Sequence, residues 1–276
     1  MRLATLRTPA GTVAARIEGD TAVELAASDV GALLQADDWA ARAAADGPRR
    51  EPIDFAAVVP RPGKIICVGL NYRTHIQEMG RDLPRYPTLF AKFPEALVGP
   101  TDPIALDPAS AAVDWEAELA VVVGRRVRRA DDETAAAAIA GFAVLNDVTM
   151  RDWQYRGPQW LSGKTFEATT PFGPVLVTPD ELPGGTRPLL TVQCTVDGVV
   201  RQSSNTGDLV FDPVALVRYV SQILTLAPGD VIATGTPAGV GHAATPPSYL
   251  RAGSVVVTEI EHLGRLTNTA VVPVCG

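Results

Sequence analysis

Acidic residues alternate along one stretch of the chain. Asp114, Glu116 and Glu118 occupy every second position, and alternate residues of a strand lie on the same face. Carboxylates placed side by side repel one another unless they are hydrated, protonated or bridged by a cation. Because Mg²⁺, Mn²⁺ and Ca²⁺ prefer oxygen ligands, a divalent ion would resolve this repulsion. Taken alone, the spacing fits a solvated strand face slightly better than a metal site.

A second acidic segment shifts the balance toward a metal site. Asp147 ends another apolar run, residues 142–146. It would join Glu116 and Glu118 if the two segments are neighbours in the fold, which the spacing itself does not show. Three carboxylates in one place would form a site for a hard divalent cation.

Basic and imidazole side chains that could act on a substrate lie elsewhere in the chain. Arg151 as a planar fork and Lys164 as a point charge could hold a carboxylate beside a metal. The alternative for both is a surface position, where most arginines and lysines lie. If residues 69–78 are helical, His75 and Glu78 are three positions apart and can touch, which would orient the imidazole as a base. An isolated pair of this spacing is more often a chance surface pair, and the other two histidines lie in glycine-flanked turns without an assigned role.

A glycine-rich loop, residues 234–241, follows the apolar run 231–233. Such a loop can present backbone amides and a threonine hydroxyl to an anion. It lacks the spacing of a dinucleotide-binding loop, and the chain has no G-x-S-x-G nucleophile elbow.

The elements that must position these residues are mostly strands. We predict strands at residues 2–8, 13–17, 21–24, 65–68, 115–123, 173–177, 190–196, 231–234, 255–260 and 266–272. We predict three helices. The first spans residues 28–45, and the second begins at the acidic stretch 131–134 and ends at Gly141. The third begins after the cap Asp212, with Pro213 in its first turn, and ends at residues 228–229. The pattern indicates a β-rich fold with few helices.

Composition excludes several classes of protein. The chain has 276 residues, 46% hydrophobic and 20% charged, so it can build a core and is not disordered. A net charge of −7 argues against nucleic acid or an anionic membrane as a partner. Three widely spaced cysteines, Cys67, Cys194 and Cys275, fit a reducing compartment. The sequence predicts no signal peptide and no apolar run long enough to span a membrane. We therefore expect a cytoplasmic protein.

Five motifs in order are similar to those of the fumarylacetoacetate hydrolase family, in the branch of hydroxyheptadienedioate isomerases, acylpyruvases and oxaloacetate decarboxylases. The similarity spans about residues 64–272. The motifs are Gly69-Leu70-Asn71-Tyr72 with His75 and Glu78, Asp114-Trp115-Glu116-Ala117-Glu118-Leu119, Leu145-Asn146-Asp147-Val148-Thr149-Met150-Arg151-Asp152, Ser162-Gly163-Lys164-Thr165-Phe166 and Thr234-Gly235-Thr236-Pro237.

This resemblance implies a fold and a site. It implies an α+β, β-rich chain in which a small N-terminal α+β domain, residues 1–60, precedes a catalytic domain built as a mixed β-roll, residues 61–276, in a homodimer. The implied site residues fall into three groups: Mg²⁺ or Mn²⁺ ligands Glu116, Glu118 and Asp147, with Ca²⁺ as a further candidate ion; a catalytic dyad of His75 and Glu78; and substrate contacts from Arg151, Gln154, Lys164 and Thr236.

The resemblance also implies a reaction on a small 2-oxo acid or dicarboxylate. We expect hydrolysis of a C–C bond in an acylpyruvate-like 2,4-dioxo acid, with release of pyruvate. Isomerisation of a dienedioate and decarboxylation of oxaloacetate would use the same metal and enolate. Fumarylacetoacetate hydrolase itself has an acidic ligand near its catalytic histidine where this chain has Asn71, so we expect three carboxylate ligands and a different substrate. Arg81 or Arg85 would meet a second carboxylate. A silent binding protein, the non-enzymatic alternative, would not need His75 and Glu78.

Overall fold

Strands dominate the computed structural model, which describes residues 1–78 and 80–273. In chain order the strands are β1 (Arg2–Thr8), β2 (Gly11–Glu18), β3 (Thr21–Glu24), β4 (Arg49–Arg50), β5 (Ile65–Gly69), β6 (Thr88–Lys92), β7 (Leu97–Val98), β8 (Ile104–Ala105), β9 (Val113–Asp114), β10 (Ala117–Val123), β11 (Ile139–Asn146), β12 (Thr149–Met150), β13 (Thr170–Val177), β14 (Thr191–Val196), β15 (Val199–Asn205), β16 (Val231–Ala233), β17 (Val255–Ile260) and β18 (Gly264–Val271). The β-rich fold predicted from the sequence is confirmed.

The helices are short. They are α1 (Val30–Leu34), α2 (Trp39–Ala43), α3 (Arg73–Glu78), α4 (Asp132–Ala137), α5 (Arg151–Gln154), α6 (Leu161–Lys164) and α7 (Pro213–Ile223). The cap of α7 is as predicted, because the Asp212 side chain accepts a hydrogen bond from the Ala215 amide and Pro213 opens the first turn. No helix of the described residues is long and apolar enough to cross a membrane.

Three helix predictions were wrong in their extent. The helix predicted over residues 28–45 is divided into α1 and α2, because Asp37 and Asp38 between them favour turns and caps over helix interior. Gly141 does not end a helix: α4 stops at Ala137, and Gly141 lies inside β11. A Cβ at Gly141 would collide with the carbonyl of Val177, so the glycine lets β11 and β13 approach closely. Helix α7 ends at Ile223, before the predicted stop at residues 228–229.

One large mixed sheet carries the centre of the molecule. Its strand order is β4-β3-β2-β1-β13-β11-β10-β16-β5-β6, with β7 paired to β13. Pairs are antiparallel except β16 with β5 and β13 with β7. A second sheet has the order β15-β14-β17-β18-β8, and β9 and β12 form a small ribbon. The hairpin predicted around residues 262–265 joins β17 to β18.

Strand β10 is buried along its whole length. One face, with Leu119 and Val121, packs in a core beneath the second sheet, and the other, with Ala120 and Val122, packs in a core against α1. The acidic face of this strand therefore becomes apolar and buried, as the alternation predicted.

The N-terminal strands belong to the same large sheet, since Leu3 of β1 pairs with Leu176 of β13. The side chain of Thr5 reinforces this packing by donating to the carbonyl of Val58, 2.7 Å away. The division into an N-terminal domain, residues 1–60, and a catalytic domain, residues 61–276, remains a prediction.

Candidate metal and active site

Three buried carboxylates meet where β10 and β11 pair. Glu116 lies just before β10, Glu118 lies within it, and Asp147 follows the last residue of β11. The Asp147 amide donates to the Glu116 carbonyl at 2.8 Å, and one carboxylate oxygen of each residue lies within 4.8 Å of the others. The predicted proximity of the two acidic segments is confirmed. The alternative prediction, that these acids lie on a solvated strand face, is wrong, because all three residues are buried.

Asp114 lies beside this cluster rather than in it. The chain leaves the β9 ribbon after Asp114 and enters β10 at Ala117, so the three alternating acids do not share one continuous strand. Its carboxylate accepts hydrogen bonds from the Gly241 amide at 2.7 Å, the His242 amide at 3.0 Å and Arg151 Nε at 2.8 Å. Asp114 thereby ties the glycine-rich loop to the site.

The two predicted cations are buried inside the acidic cluster, so a surface position for either is wrong. Arg151 bridges Asp114 and Glu116, with Nη2 2.7 Å from Glu116 Oε1. Lys164 Nζ lies 2.5 Å from Glu116 Oε2 and 2.7 Å from Asp147 Oδ2. Arg151 also donates to the Gln154 side-chain oxygen at 2.9 Å, because both lie on the single turn of α5.

Lys92 is a site residue that the sequence analysis missed. It ends β6, is fully buried, and donates to Asp147 Oδ1 at 2.7 Å and to the Val148 carbonyl at 3.2 Å. Its only sequence signal is a lysine within the mostly apolar stretch 89–94, which does not identify a partner.

The buried charges do not balance. Four carboxylates, Asp114, Glu116, Glu118 and Asp147, lie with three cations, Lys92, Arg151 and Lys164, which leaves one net negative charge when all four carboxylates are ionised. Burial and the neighbouring Asp147 and Glu116 raise the pKa of Glu118 well above its ordinary value, although Lys164 and the Gly235 amide oppose them. Burial acts in the same direction on Asp147, but Lys164 and Lys92 prevail and lower the pKa of that carboxyl.

A hard divalent cation fits this set of residues. Glu118 receives one hydrogen bond from the described residues, from the Gly235 amide at 2.8 Å, and has no cation paired to it as Glu116 and Asp147 have. A buried carboxylate in this position is costly unless a cation approaches it. Three carboxylate oxygens in a small space form the donor set that hard cations prefer.

Asn71, the departure from the family pattern, has a structural role. Its side-chain amide donates to the carbonyls of Phe211 and Thr234 at 3.0 and 2.8 Å, and its oxygen accepts from the Phe211 amide at 2.8 Å. Thr236 lies two residues after Thr234 in the glycine-rich loop, and its hydroxyl donates a hydrogen bond to the Ala117 carbonyl at 3.0 Å.

A cavity of about 260 Å³ opens onto the charged cluster. Its walls bring together most of the residues proposed from the sequence: His75, Arg81, Glu116, Glu118, Arg151, Gln154, Lys164 and Thr236. Arg85 instead lies over the ring of Tyr86. Among the described residues, the cavity walls also include His242, whose Nδ1 lies 2.9 Å from the Tyr249 hydroxyl.

His75 and Glu78 both lie on α3, and His75 is the one that lines this cavity. His75 is half-buried and Glu78 is exposed, and no hydrogen bond or ion pair joins their side chains in the described part of the chain. Partial burial lowers the pKa of His75, although the charges of Glu78 and Glu116 oppose the shift. The imidazole is therefore neutral near pH 7 and able to accept a proton.

The fold and the site define a β-rich protein with a buried carboxylate cluster that could hold a divalent cation. The chain belongs to the fumarylacetoacetate hydrolase family: the model of the fumarylacetoacetate (FAA) hydrolase C-terminal domain matches residues 64–271.

Named relatives differ in their reactions. The chain is 47% identical over 223 residues to the mitochondrial oxaloacetate tautomerase of Rattus norvegicus, covering 80% of this chain and 71% of that protein. A fumarylacetoacetate hydrolase from Exiguobacterium antarcticum superposes with a TM-score of 0.88 at 33% identity, covering 99% of this chain and 100% of that chain. A 2-hydroxyhepta-2,4-diene-1,7-dioate isomerase from Mycobacterium marinum has a TM-score of 0.80 at 31% identity, with 98% of both chains covered.

Proposed function

We propose that this protein catalyses the keto–enol tautomerisation of oxaloacetate, with Mg²⁺ or Mn²⁺ held by Glu116, Glu118 and Asp147. The observation that carries the proposal is the cavity in which a neutral imidazole, His75, faces the same space as Glu116 and Glu118, two of the three clustered carboxylates. The names of the relatives at 44–48% identity support tautomerisation ahead of the acylpyruvate hydrolysis expected from the sequence.

The charges of the site support a 2-oxo acid as the substrate. A divalent cation would change the net charge of the buried cluster from −1 to +1. The carboxylate beside the 2-oxo group would then bring the net charge to zero, which avoids an uncompensated buried charge. Arg81, which lines the same cavity, is the cation available to the second carboxylate of oxaloacetate.

The protein side chains would divide the work of moving one proton. When bound, the divalent cation supplies Lewis acidity that makes the C–H bond beside the 2-oxo group more acidic. His75 takes the proton from C3 of the keto form and delivers it to the 2-oxo oxygen, so that the product is the enol and the imidazole is neutral again. Lys164 and Arg151 hold the carboxylate end, and Gln154 orients Arg151.

The test starts from protein stripped of metal with a chelator. Oxaloacetate enol is added with and without Mg²⁺ or Mn²⁺, and loss of the enol absorbance is compared with the spontaneous rate. Pyruvate is measured in the same samples, because tautomerisation releases none whereas decarboxylation does. A metal-dependent acceleration without pyruvate is the expected result. No acceleration with either metal would overturn the proposal.

Hydrolysis of an acylpyruvate is the second candidate. The presence of Glu78 one turn from His75 favours it, since a carboxylate beside an imidazole helps that imidazole to activate water. Adding acetylpyruvate and fumarylpyruvate to the same assay distinguishes the two reactions, because hydrolysis of either releases pyruvate. A dienedioate isomerase would leave both substrates intact.

A further inference from the structure

Gln202 is a buried polar residue to which the site described above assigns no role. It lies on β15 in the second sheet, and its side chain has no exposed surface. Its side-chain oxygen accepts a hydrogen bond from the Ala117 amide at 2.9 Å. Its side-chain nitrogen donates to Thr236 Oγ1 at 2.8 Å and to the Pro237 carbonyl at 2.9 Å. Both hydrogens of the Gln202 amide are therefore used by the glycine-rich loop.

Three of these groups form a closed ring of hydrogen bonds. The Ala117 amide donates to Gln202, Gln202 donates to the Thr236 hydroxyl oxygen, and the Thr236 hydroxyl donates back to the Ala117 carbonyl at 3.0 Å. All three bonds run in the same direction around the ring, an arrangement in which each bond strengthens the next. Only the oxygen end of the Gln202 amide can accept from Ala117, so the ring also fixes the orientation of that amide. Thr236 Oγ1 is therefore held by a partner that can only donate to it.

The ring lies on the strand that carries the carboxylates. Ala117 is the first residue of β10 and stands between Glu116 and Glu118, whereas β16 pairs with β10 only further along the strand. The side chains of Gln202 and Thr236 therefore complete the backbone hydrogen bonds of Ala117 where β16 has not begun. Through this contact Gln202 links the carboxylate strand to the glycine-rich loop.

The backbone of the loop lies directly against β15. A Cβ at Gly239, which has a φ of +98°, would collide with the carbonyl of Arg201, so a glycine is needed for this close approach. The approach brings the loop within reach of Gln202. Thr236 is half-buried and lines the cavity of the carboxylate cluster, whereas Gln202 is not among the lining residues. A ligand in the cavity can thus contact the Thr236 hydroxyl but reaches Gln202 only through it.

We propose that Gln202 is a positioning residue, which holds the Thr236 hydroxyl at the cavity wall so that it can donate to an oxygen of the bound 2-oxo acid. On ligand binding the hydroxyl hydrogen turns from the Ala117 carbonyl to the ligand, while Gln202 keeps Oγ1 in place. Because the oxygen is already fixed before binding, the ligand does not bear the cost of ordering this side chain. The inference rests on the proposed function only in taking a 2-oxo acid as the ligand of this cavity.

A double-mutant cycle tests whether Gln202 acts through Thr236. The probe is oxalate, which has a carboxylate beside a carbonyl oxygen as a 2-oxo acid does and cannot tautomerise. Its binding is measured by titration calorimetry on the full chain with saturating Mn²⁺. Gln202→Met, which keeps the length of the side chain, should weaken oxalate binding by about tenfold, as should Thr236→Val. The double variant should bind oxalate as Thr236→Val alone does, because the removed hydroxyl leaves Gln202 nothing to position.

Asn268→Leu is the matched control. Asn268 is a buried amide residue of the same sheet, on β18, and donates to the carbonyls of Gly99 and Asp102 at 3.2 and 2.8 Å. It does not line the cavity, so its replacement should lower the urea midpoint and leave oxalate affinity unchanged. If Gln202→Met does not fold, Gln202→Glu takes its place. The charge that this variant adds is present with and without the Thr236 hydroxyl, so the cycle still isolates the bond.

Three results would overturn the inference. They are an unchanged oxalate affinity in Gln202→Met, losses in the two single variants that multiply in the double variant, and no binding of oxalate to the unsubstituted protein with Mn²⁺. Multiplying losses would mean that Gln202 supports the site only as a structural residue. Because binding is measured without turnover, failure of the tautomerase assay leaves the outcome of the cycle readable by itself.

Discussion

Lys92 Nζ lies 2.7 Å from Oδ1 of Asp147, and both side chains are fully buried. The lysine is therefore held inside the protein by a carboxylate that is also expected to bind metal. We predict that Lys92→Met lowers the free energy of unfolding of the metal-free protein by about 3 kcal/mol or more, because it removes one of the two buried lysines paired with the Asp147 carboxylate. Urea unfolding in the presence of chelator measures this loss.

A metal ion should offset part of this loss, since it supplies positive charge to the same carboxylates. Mn²⁺ should raise the urea midpoint of Lys92→Met by more than it raises that of the unsubstituted protein. Arg42→Met is the control, because Arg42 and its partner Asp38 are both exposed and such pairs contribute about 0–1 kcal/mol. A Lys92→Met variant as stable as this control would contradict the prediction.

Metal affinity should rise with pH. The pKa of Glu118 is raised in the metal-free protein by burial and by Asp147 and Glu116, so this carboxyl carries a proton above the pH at which an exposed glutamic acid has lost it. Metal binding must release that proton, and its cost falls as pH rises toward the raised pKa. Titration calorimetry with Mn²⁺ at several pH values measures the slope.

Glu118→Gln should weaken Mn²⁺ binding by about tenfold or more and flatten the dependence on pH, because the titrating group is gone. Glu167→Gln, which replaces an exposed acid outside the cavity walls, should change neither quantity. An affinity for Mn²⁺ that is independent of pH in the unsubstituted protein would show that Glu118 is already ionised.

The pH profile of kcat/KM should have an acidic limb set by His75. Partial burial places the pKa of this imidazole below its ordinary value of about 6.5. The neutral base is present above that pKa and is lost as pH falls through it. His75→Ala should reduce kcat/KM by about 10² to 10⁴ and remove this limb, while calorimetric Mn²⁺ binding stays intact. A limb that persists in His75→Ala would assign it to another group.

Asn71→Asp should not create a fourth metal ligand. The Asn71 amide donates to the Phe211 and Thr234 carbonyls, and a carboxylate in its place would face two acceptors without a proton to share. We expect the free energy of unfolding to fall by about 1–3 kcal/mol without a gain in Mn²⁺ affinity. Tighter metal binding at unchanged stability would contradict this account of Asn71.

The sequence allowed much of the fold to be predicted because strand alternation is local. The strand predicted over residues 255–260 has these bounds in the structure, and Asp212 caps its helix as expected. Over residues 28–45, where several weak helix and turn preferences compete, the predicted helix was longer than the helices in the structure. The prediction for Gly141 was wrong because a glycine is needed there for close contact with Val177, which lies 36 residues away in the sequence.

The carboxylate cluster was predictable only in part. The alternate spacing of Glu116 and Glu118 indicated that they share a site, but the approach of Asp147 depends on the pairing of β10 with β11. The one sequence signal of Lys92, a lysine within an apolar strand, does not reveal which acid it meets. The contact between His75 and Glu78 that helical spacing allowed is not made by the described side chains, because spacing permits a contact without fixing the rotamers.

The position of β16 between β10 and β5 has a consequence for synthesis of the chain. The edges of β10 and β5 stay unpaired until residues 231–233 have left the ribosome, although both strands are made more than 100 residues earlier. Unpaired apolar edges attract strands of other chains. Nascent chains that stop short of β16 should therefore aggregate or be held by chaperones, and the metal ligands Glu116 and Glu118 would reach their final environment only near the end of translation.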